Sequence, residues 1–269
     1  MNFKLKYKIV SVFLLLVFII FSSCNKISIN DPHDLKDVLK KGRLAVLTDS
    51  SSLGFEFIGD SIYGFQYEII KAFADSLGVE LQIGVKYDLK EAIKSVENGE
   101  YDVIANIIPV TTEYSEVLSF TESLFTSRQM LVQRIANDSV KSKFISTQND
   151  LANDTIFLPA NSPYLLRIKH LSDEIAEKII VEEMKNVGVE DLIQMVSEGK
   201  IKNTICPDQF AKKYLKKYPN LDITLPLGFS QNYSWAVNKN SIHLLEKLNS
   251  FLTDFIGSSD YWILYRKYY

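Results

Sequence analysis

"GFQYEIIKAFADSLGVELQI", residues 64–83, carries one helix and one strand in a single stretch. Ile69, Ile70, Phe73 and Leu77 recur at helical spacing, so residues 67–77 are expected to form a helix with one apolar face. Gly78 follows the last apolar position, where a glycine in left-handed backbone can close a helix without steric cost. Residues 80–84 then read as a strand.

Working outward, a strand over Arg43–Thr48 precedes this unit, and a helix over 89–98 and a strand over 101–106 follow it. Strands alternating with helices of this length imply a parallel sheet covered by helices. The stretch "AIKSVENGEYDVI" (92–104) is echoed by "LIQMVSEGKIKNT" (192–204) as amphipathic helix, polar residue, glycine and strand. Gly99 and Gly199 hold equivalent positions, each suited to a left-handed helix cap. The echo points to two similarly built α/β lobes in a chain of 269 residues.

Ahead of these elements, Lys4, Lys6 and Lys8 precede an apolar run over 9–21 broken only by Ser11. The run is short for a bilayer span and suits the core of a signal peptide. It ends in Phe21-Ser22-Ser23-Cys24, which resembles a bacterial lipobox. Residues 1–23 are therefore expected to be a lipoprotein signal peptide and Cys24 the lipidated N-terminus. A plain N-terminal membrane anchor is the other reading. Both place the body outside the cytoplasm, and the expected location is the cell envelope, lipid-anchored and facing the periplasm. Residues 24–40 are polar and read as a tether leading into a short helix.

Composition excludes several classes. Three of the 30 basic residues lie in the leader, leaving 27 against 33 acidic and a net charge of −6. No basic footprint invites nucleic acid. Cys206 has no partner once Cys24 is acylated, and His33, His170 and His243 match no metal-ligand spacing. No metal or other cofactor is expected.

Tyr67-Glu68, Phe73-Ala74-Asp75 and Leu77-Gly78-Val79 carry a more specific signal, joined by "NLDI", "LPL" and "WAV" in "YPNLDITLPLGFSQNYSWAVNKN" (218–240). These residues resemble bacterial solute-binding proteins of family 3, the type II periplasmic binding fold. Within that family they are most similar to the N-terminal domain of membrane-bound lytic transglycosylase F. The resemblance covers about residues 38–269. It implies a two-lobed α/β fold, each lobe a mostly parallel sheet flanked by helices, with ligand held in the cleft between lobes. Lobe 1 is expected at 41–131 and 228–269, and lobe 2 at 132–227.

Open α/β sheets bind ligands outside the carboxyl ends of their strands. That rule selects Asp49, Ser50 and Ser51 after the first strand and Asn106 to Thr111 after the third. In lobe 2 it selects Asn161 and Ser162 after "TIFLP", and Asp208 after "NTICP". Ser162-Pro163 also reads as an N-cap followed by an N1 proline, serving either an anion or the helix alone.

In amino-acid-binding members of the family, an Asp like Asp102 is followed by a Gly, a Thr and an Arg that grips the ligand's carboxylate. Those three places fall on Ile107, Pro109 and Tyr114. The Asp that holds the ligand's ammonium falls on Pro207, with Asp208 one place later. Both halves of the clamp are altered. The expected ligand is therefore a small molecule other than a free α-amino acid: a peptide, a saccharide or a cell-wall fragment. Phe55, Phe57, Tyr63 and Tyr114 suit stacking on such a ligand, and packing of a helix start is the competing role for Tyr114. Arg128 is the nearest replacement cation.

The catalytic glutamate of lytic transglycosylases belongs to a separate lysozyme-like domain. This chain finishes on "DYWILYRKYY", where the binding fold is expected to complete its last helix, so no glycan cleavage is expected. The expected partners are a membrane held through the lipid and either a permease or an envelope enzyme. The corresponding roles are transport receptor, or regulatory or sensor module in peptidoglycan metabolism.

Overall fold

The computed structural model describes residues 34–136 and 143–269; the expected signal peptide (1–23), the expected lipidation site Cys24 and the first part of the expected tether, to residue 33, lie outside them. Helix α1 (Leu35–Lys41) opens on Asp34, whose carboxylate accepts the Leu35 N–H at 2.8 Å and the Leu244 N–H at 2.7 Å. Val38 is buried, so the end of the expected tether is a docked helix.

Strand β1 (Arg43–Thr48) has the bounds its residues predict. The hairpin β2 (Glu56–Ile58) and β3 (Ser61–Tyr63) follows. Helix α2 (Phe65–Leu77) starts two residues earlier than its apolar spacing places it, because Phe65 and Gln66 are buried in its first turn. Ile69, Ile70 and Phe73 have no exposed surface, and Gly78 closes the helix at φ 69°. Burying a side chain such as Phe73 stabilises by about 1.5–3 kcal/mol. Strand β4 (Glu80–Val85), helix α3 (Leu89–Glu97), strand β5 (Val103–Pro109), the short helix α4 (Thr112–Ser115), and strands β6 (Leu118–Phe120) and β7 (Phe125–Ser127) continue this part.

Strand β8 (Gln129–Arg134) enters a second sheet. There β9 (Thr155–Pro159), α5 (Leu165–Glu174), β10 (Ile180–Met184), α6 (Val189–Ser197), β11 (Asn203–Pro207), α7 (Asp208–Leu215) and β12 (Leu221–Asp222) follow. Strand β13 (Gln231–Asn238) returns to the first sheet, and α8 (Ile242–Ile256) and α9 (Ser259–Tyr268) complete the chain.

The first sheet has the order β4-β1-β5-β13-β6, with β7 also on β13; the second has the order β10-β9-β11-β8-β12. The orders correspond strand for strand, so the two lobes repeat one plan. The sequence echo maps onto α3–β5 and α6–β11, with Gly99 at φ 70° and Gly199 at φ 77°. The expected parallel pairing holds for β4-β1-β5 and β10-β9-β11, whereas the crossing strands β13 and β8 pair antiparallel. Strand β8 pairs with β11 from Gln129 to Gln133, so the chain passes into the second sheet at Arg128, and the expected boundary at 131 and 132 falls inside a strand. The return passes Leu227, whose N–H donates to the Gln129 carbonyl at 2.8 Å.

Candidate functional site

The carboxyl ends of β1, β4 and β5 face those of β9, β10 and β11 across a cleft. Thr48, Asp49, Lys86, Tyr87 and Asn106 line it from the first lobe; Ser162, Tyr164, Gly188, Pro207 and Phe210 line it from the second. Its interior holds about 70 Å³ of water-sized space, a few waters at ~10–15 Å³ each. The lobes touch around it. The Ser52 N–H donates to Glu190 Oε2 at 3.0 Å, and Ser52 Oγ lies 2.6 Å from Lys213 Nζ and 3.1 Å from the Tyr214 hydroxyl. On the other side Asn161 Nδ2 donates to Asp88 Oδ2 at 2.7 Å.

Asp49 follows β1, and its Oδ1 accepts the Ser51 hydroxyl at 2.8 Å. The carboxyl lies over Gly54, where an added Cβ would come within 1.8 Å of Oδ1, so the close approach requires glycine. Burial pushes the Asp49 carboxyl up to about 6, and the nearby charges of Glu190 and Asp191 push in the same direction. Beside it Thr48 is 2% exposed, and its Oγ1 has no partner among the described residues. Asn106 lies inside a strand rather than after one, because β5 continues to Pro109 through its pairing with β13. The register slips between Ile108↔Ser234 and Ile104↔Ala236, and this bulge holds Asn106, a residue of the cleft lining. Asn106 Oδ1 accepts the Ile107 N–H at 2.7 Å. Ser162 is buried, and its Oγ accepts the Tyr164 N–H at 3.3 Å. It caps a turn ahead of α5 instead of the helix itself, which begins only at Leu165.

Asp49, Asn106 and Ser162 are thus brought together; six other expected residues are not. Ser50 is exposed, and Phe57 is 67% exposed on the hairpin, its ring edge-on to Phe55 at 5.2 Å. Thr111 accepts the Tyr114 N–H at 3.3 Å as the N-cap of α4. Arg128 is exposed at the β7–β8 junction, its backbone carbonyl taken by the Asp208 N–H at 3.0 Å, and it is not part of the cleft lining. The Asp208 carboxylate pairs with Lys212 Nζ at 2.7 Å along the same helix. Tyr114 lines a separate groove between α3, α4 and α5, packed on the cluster of Leu47, Leu89, Ala92 and Ile104. Burial pushes its phenol up to about 12, with the Glu113 charge adding to the effect.

Lys86, Tyr87 and Gly188 are cleft residues that sequence reasoning missed, although the strand-end rule, applied to β4 and β10, points to them. Lys86 is the cleft's basic residue among those described, yet its Nζ donates to Ser95 Oγ at 2.9 Å, and Ser95 donates on to Glu100. Its charge is turned back into the first lobe. Gly188 packs on the Tyr87 ring, where an added Cβ would sit 3.1 Å from Cε1.

Bacterial extracellular solute-binding proteins, family 3, match residues 44–269. The chain belongs to this family. Among curated relatives, membrane-bound lytic murein transglycosylase F of Desulfosudis oleivorans is 26% identical over 239 residues, 88% of this chain and 51% of that protein. The protein of the same name from Aeromonas salmonicida is 30% identical over 205 residues, 76% of this chain and 40% of that protein. The family 3 chain thus spans about half the length of these relatives. Among solved structures, a mutant of ArgBP from T. maritima is 25% identical with a TM-score of 0.70, covering 87% of this chain and 97% of that one. An amino acid ABC transporter substrate-binding protein from Streptococcus pneumoniae, bound to L-arginine, is 22% identical with a TM-score of 0.71, over 87% and 97%. At that identity the second likeness shows the fold alone. The two-lobed architecture is that of type II periplasmic binding proteins.

Proposed function

We propose that this chain is an extracytoplasmic solute-binding protein whose interlobe cleft takes a small ligand other than a free α-amino acid. The fate of the clamp carries this reading. Pro109 has no N–H to give, and Tyr114 lies in the side groove. Pro207 lines the cleft without charge, and Asp208 is engaged by Lys212. In their place the cleft presents the Asp49 carboxyl, the unpartnered Thr48 hydroxyl and the rings of Tyr87, Tyr164 and Phe210. This set suits a ligand with a hydrogen-bond donor and a ring or apolar face, as in a peptide, a saccharide or a cell-wall fragment.

Losing one partner of a buried charge pair costs roughly 2–5 kcal/mol, which takes a micromolar ligand to tens of micromolar or beyond at about 1.4 kcal/mol per tenfold. The test is thermal shift against a panel of amino acids, peptides and saccharides, since a ligand specific for the folded state raises its stability. A standard amino acid giving a saturable shift at micromolar concentration would overturn the reading.

The relatives' shared name supports a second role, a regulatory or sensor module in peptidoglycan metabolism. Co-purification with an envelope enzyme supports that role, and co-purification with a permease supports transport. Both roles are binding roles. Release of anhydromuropeptides from purified peptidoglycan, above a heat-inactivated control, would overturn them. Anchoring through Cys24 completes the proposal; incorporation of labelled fatty acid, lost in Cys24→Ala, is the expected result.

A further inference from the structure

The groove that contains Tyr114 is a space in its own right. It holds about 620 Å³ against about 70 Å³ in the cleft, and Leu89 and Ser162 line both, so the two spaces adjoin. Helices α3 and α4 of the first lobe and α5 of the second border it. Its apolar lining is Ile93, Tyr114, Val117, Leu165 and Leu166. Three cations border it, Lys90 and Lys94 on α3 and Lys169 on α5, and three anions, Glu97 at the end of α3 with Glu113 and Glu116 beside Tyr114. None of the six side chains forms an ion pair among the described residues.

That pattern has a chemical complement. A free amino acid carries its ammonium and carboxylate on one carbon and needs a compact clamp. A border with both signs of unpaired charge over an apolar lining matches a zwitterion whose charges are well separated and joined by an apolar stretch. We propose that the groove is a second compartment of the ligand site and takes a short peptide with free termini, its apolar side chain against Tyr114, its carboxylate toward Lys94 and Lys169, and its ammonium toward Glu113 and Glu116. The proposal rests on the reading that the cleft takes a ligand other than a free amino acid, and names that ligand's class. Tyr114 then has a use the amino-acid clamp could not give it. It forms an uncharged face for the peptide where a clamp member would present a guanidinium.

Isothermal titration with the tripeptide Ala-Leu-Ala, its C-terminal amide and free leucine tests this. The free tripeptide is expected to bind saturably, and amidation to weaken it about tenfold. Lys94→Gln with Lys169→Gln, both exposed positions, is expected to cost the free tripeptide a similar factor and the amide nothing further. No binding of the tripeptide, or equal binding by wild type and the double variant, would overturn the proposal. A saccharide that binds and is lost in Asp49→Asn, with no binding of the tripeptide, would overturn the groove while leaving the cleft reading intact. Tight binding of free leucine would sink the cleft reading; lysine-dependent tripeptide binding in the same titrations would still uphold the groove.

Discussion

The cleft and the side groove share Leu89 and Ser162 but place their charges in opposite surroundings. The cleft is narrow, is bridged by Ser52 on Glu190 and Asn161 on Asp88, and keeps a carboxyl over Gly54. The groove is open, with its lysines exposed at the border. A charge taken out of water is costly and its neighbours must be placed to suit it; a charge at a wet edge costs the fold little, paired or not. The cleft is therefore where stability and ligand choice are coupled, and the groove is where side chains can change without touching the fold.

The largest expected effect tests the cleft's tightness. Gly54→Ala would put a Cβ 1.8 Å from Asp49 Oδ1 and 2.4 Å from its carbonyl oxygen. It is expected to destabilise by about 3 kcal/mol in urea denaturation. A loss within ~0.5 kcal/mol would mean that the Asp49 turn yields freely.

Asp49→Asn should act in the other direction. The folded carboxyl titrates near 6 against an ordinary 3.8, so between those values the folded state holds a proton that the unfolded state has lost. Stability from this group is therefore full below about pH 4 and falls as pH rises through about 6. The asparagine variant is expected to be about 2 kcal/mol more stable than wild type at pH 7.5, with a flatter profile from pH 4 to 7. Identical pH profiles for the two proteins would remove the burial argument.

Glu190→Gln separates two roles of one carboxylate. Near pH 4.5 it should cost about 1 kcal/mol through the weakened bond to the Ser52 N–H. Near pH 7.5 relief of the repulsion on Asp49 should offset part of that loss, and the Asp49 midpoint should move down. Lys94→Gln, at the groove, is expected to change stability by less than ~0.5 kcal/mol at any pH. A larger change there would erase the contrast between the two spaces.

Much of the architecture was legible because it depends on local patterns. Arg43–Thr48, the apolar face of α2 and the twin glycines Gly99 and Gly199 each announce their element through spacing alone. The site was legible only in part. Asp49 follows from the strand-end rule, but Asn106 reaches the cleft through a bulge set by pairing with a strand far along the chain. Counting on from Asp102 by the family resemblance puts Tyr114 in the arginine's place, yet cannot say which way the ring turns; its packing on the cluster of Leu47 and Leu89 decides that. Arg128 and Phe57 read as candidates because exposure is a tertiary property. The engagement of Asp208, by contrast, was visible as a Lys four residues on.

Strand β13 carries a further consequence, for the order of assembly. It lies between β5 and β6 in the middle of the first sheet, but the ribosome makes it only after the whole second lobe. A nascent chain that has not reached Gln231 holds a second lobe with all its strands and a first lobe whose β5 presents an open edge. The inserted lobe can mature while the lobe that surrounds it in sequence waits. Closing the first sheet joins residues distant in sequence, the kind of step that slows folding and prolongs exposure of sticky strands. The lobe whose first strands come earlier in the chain is thus the later to be finished.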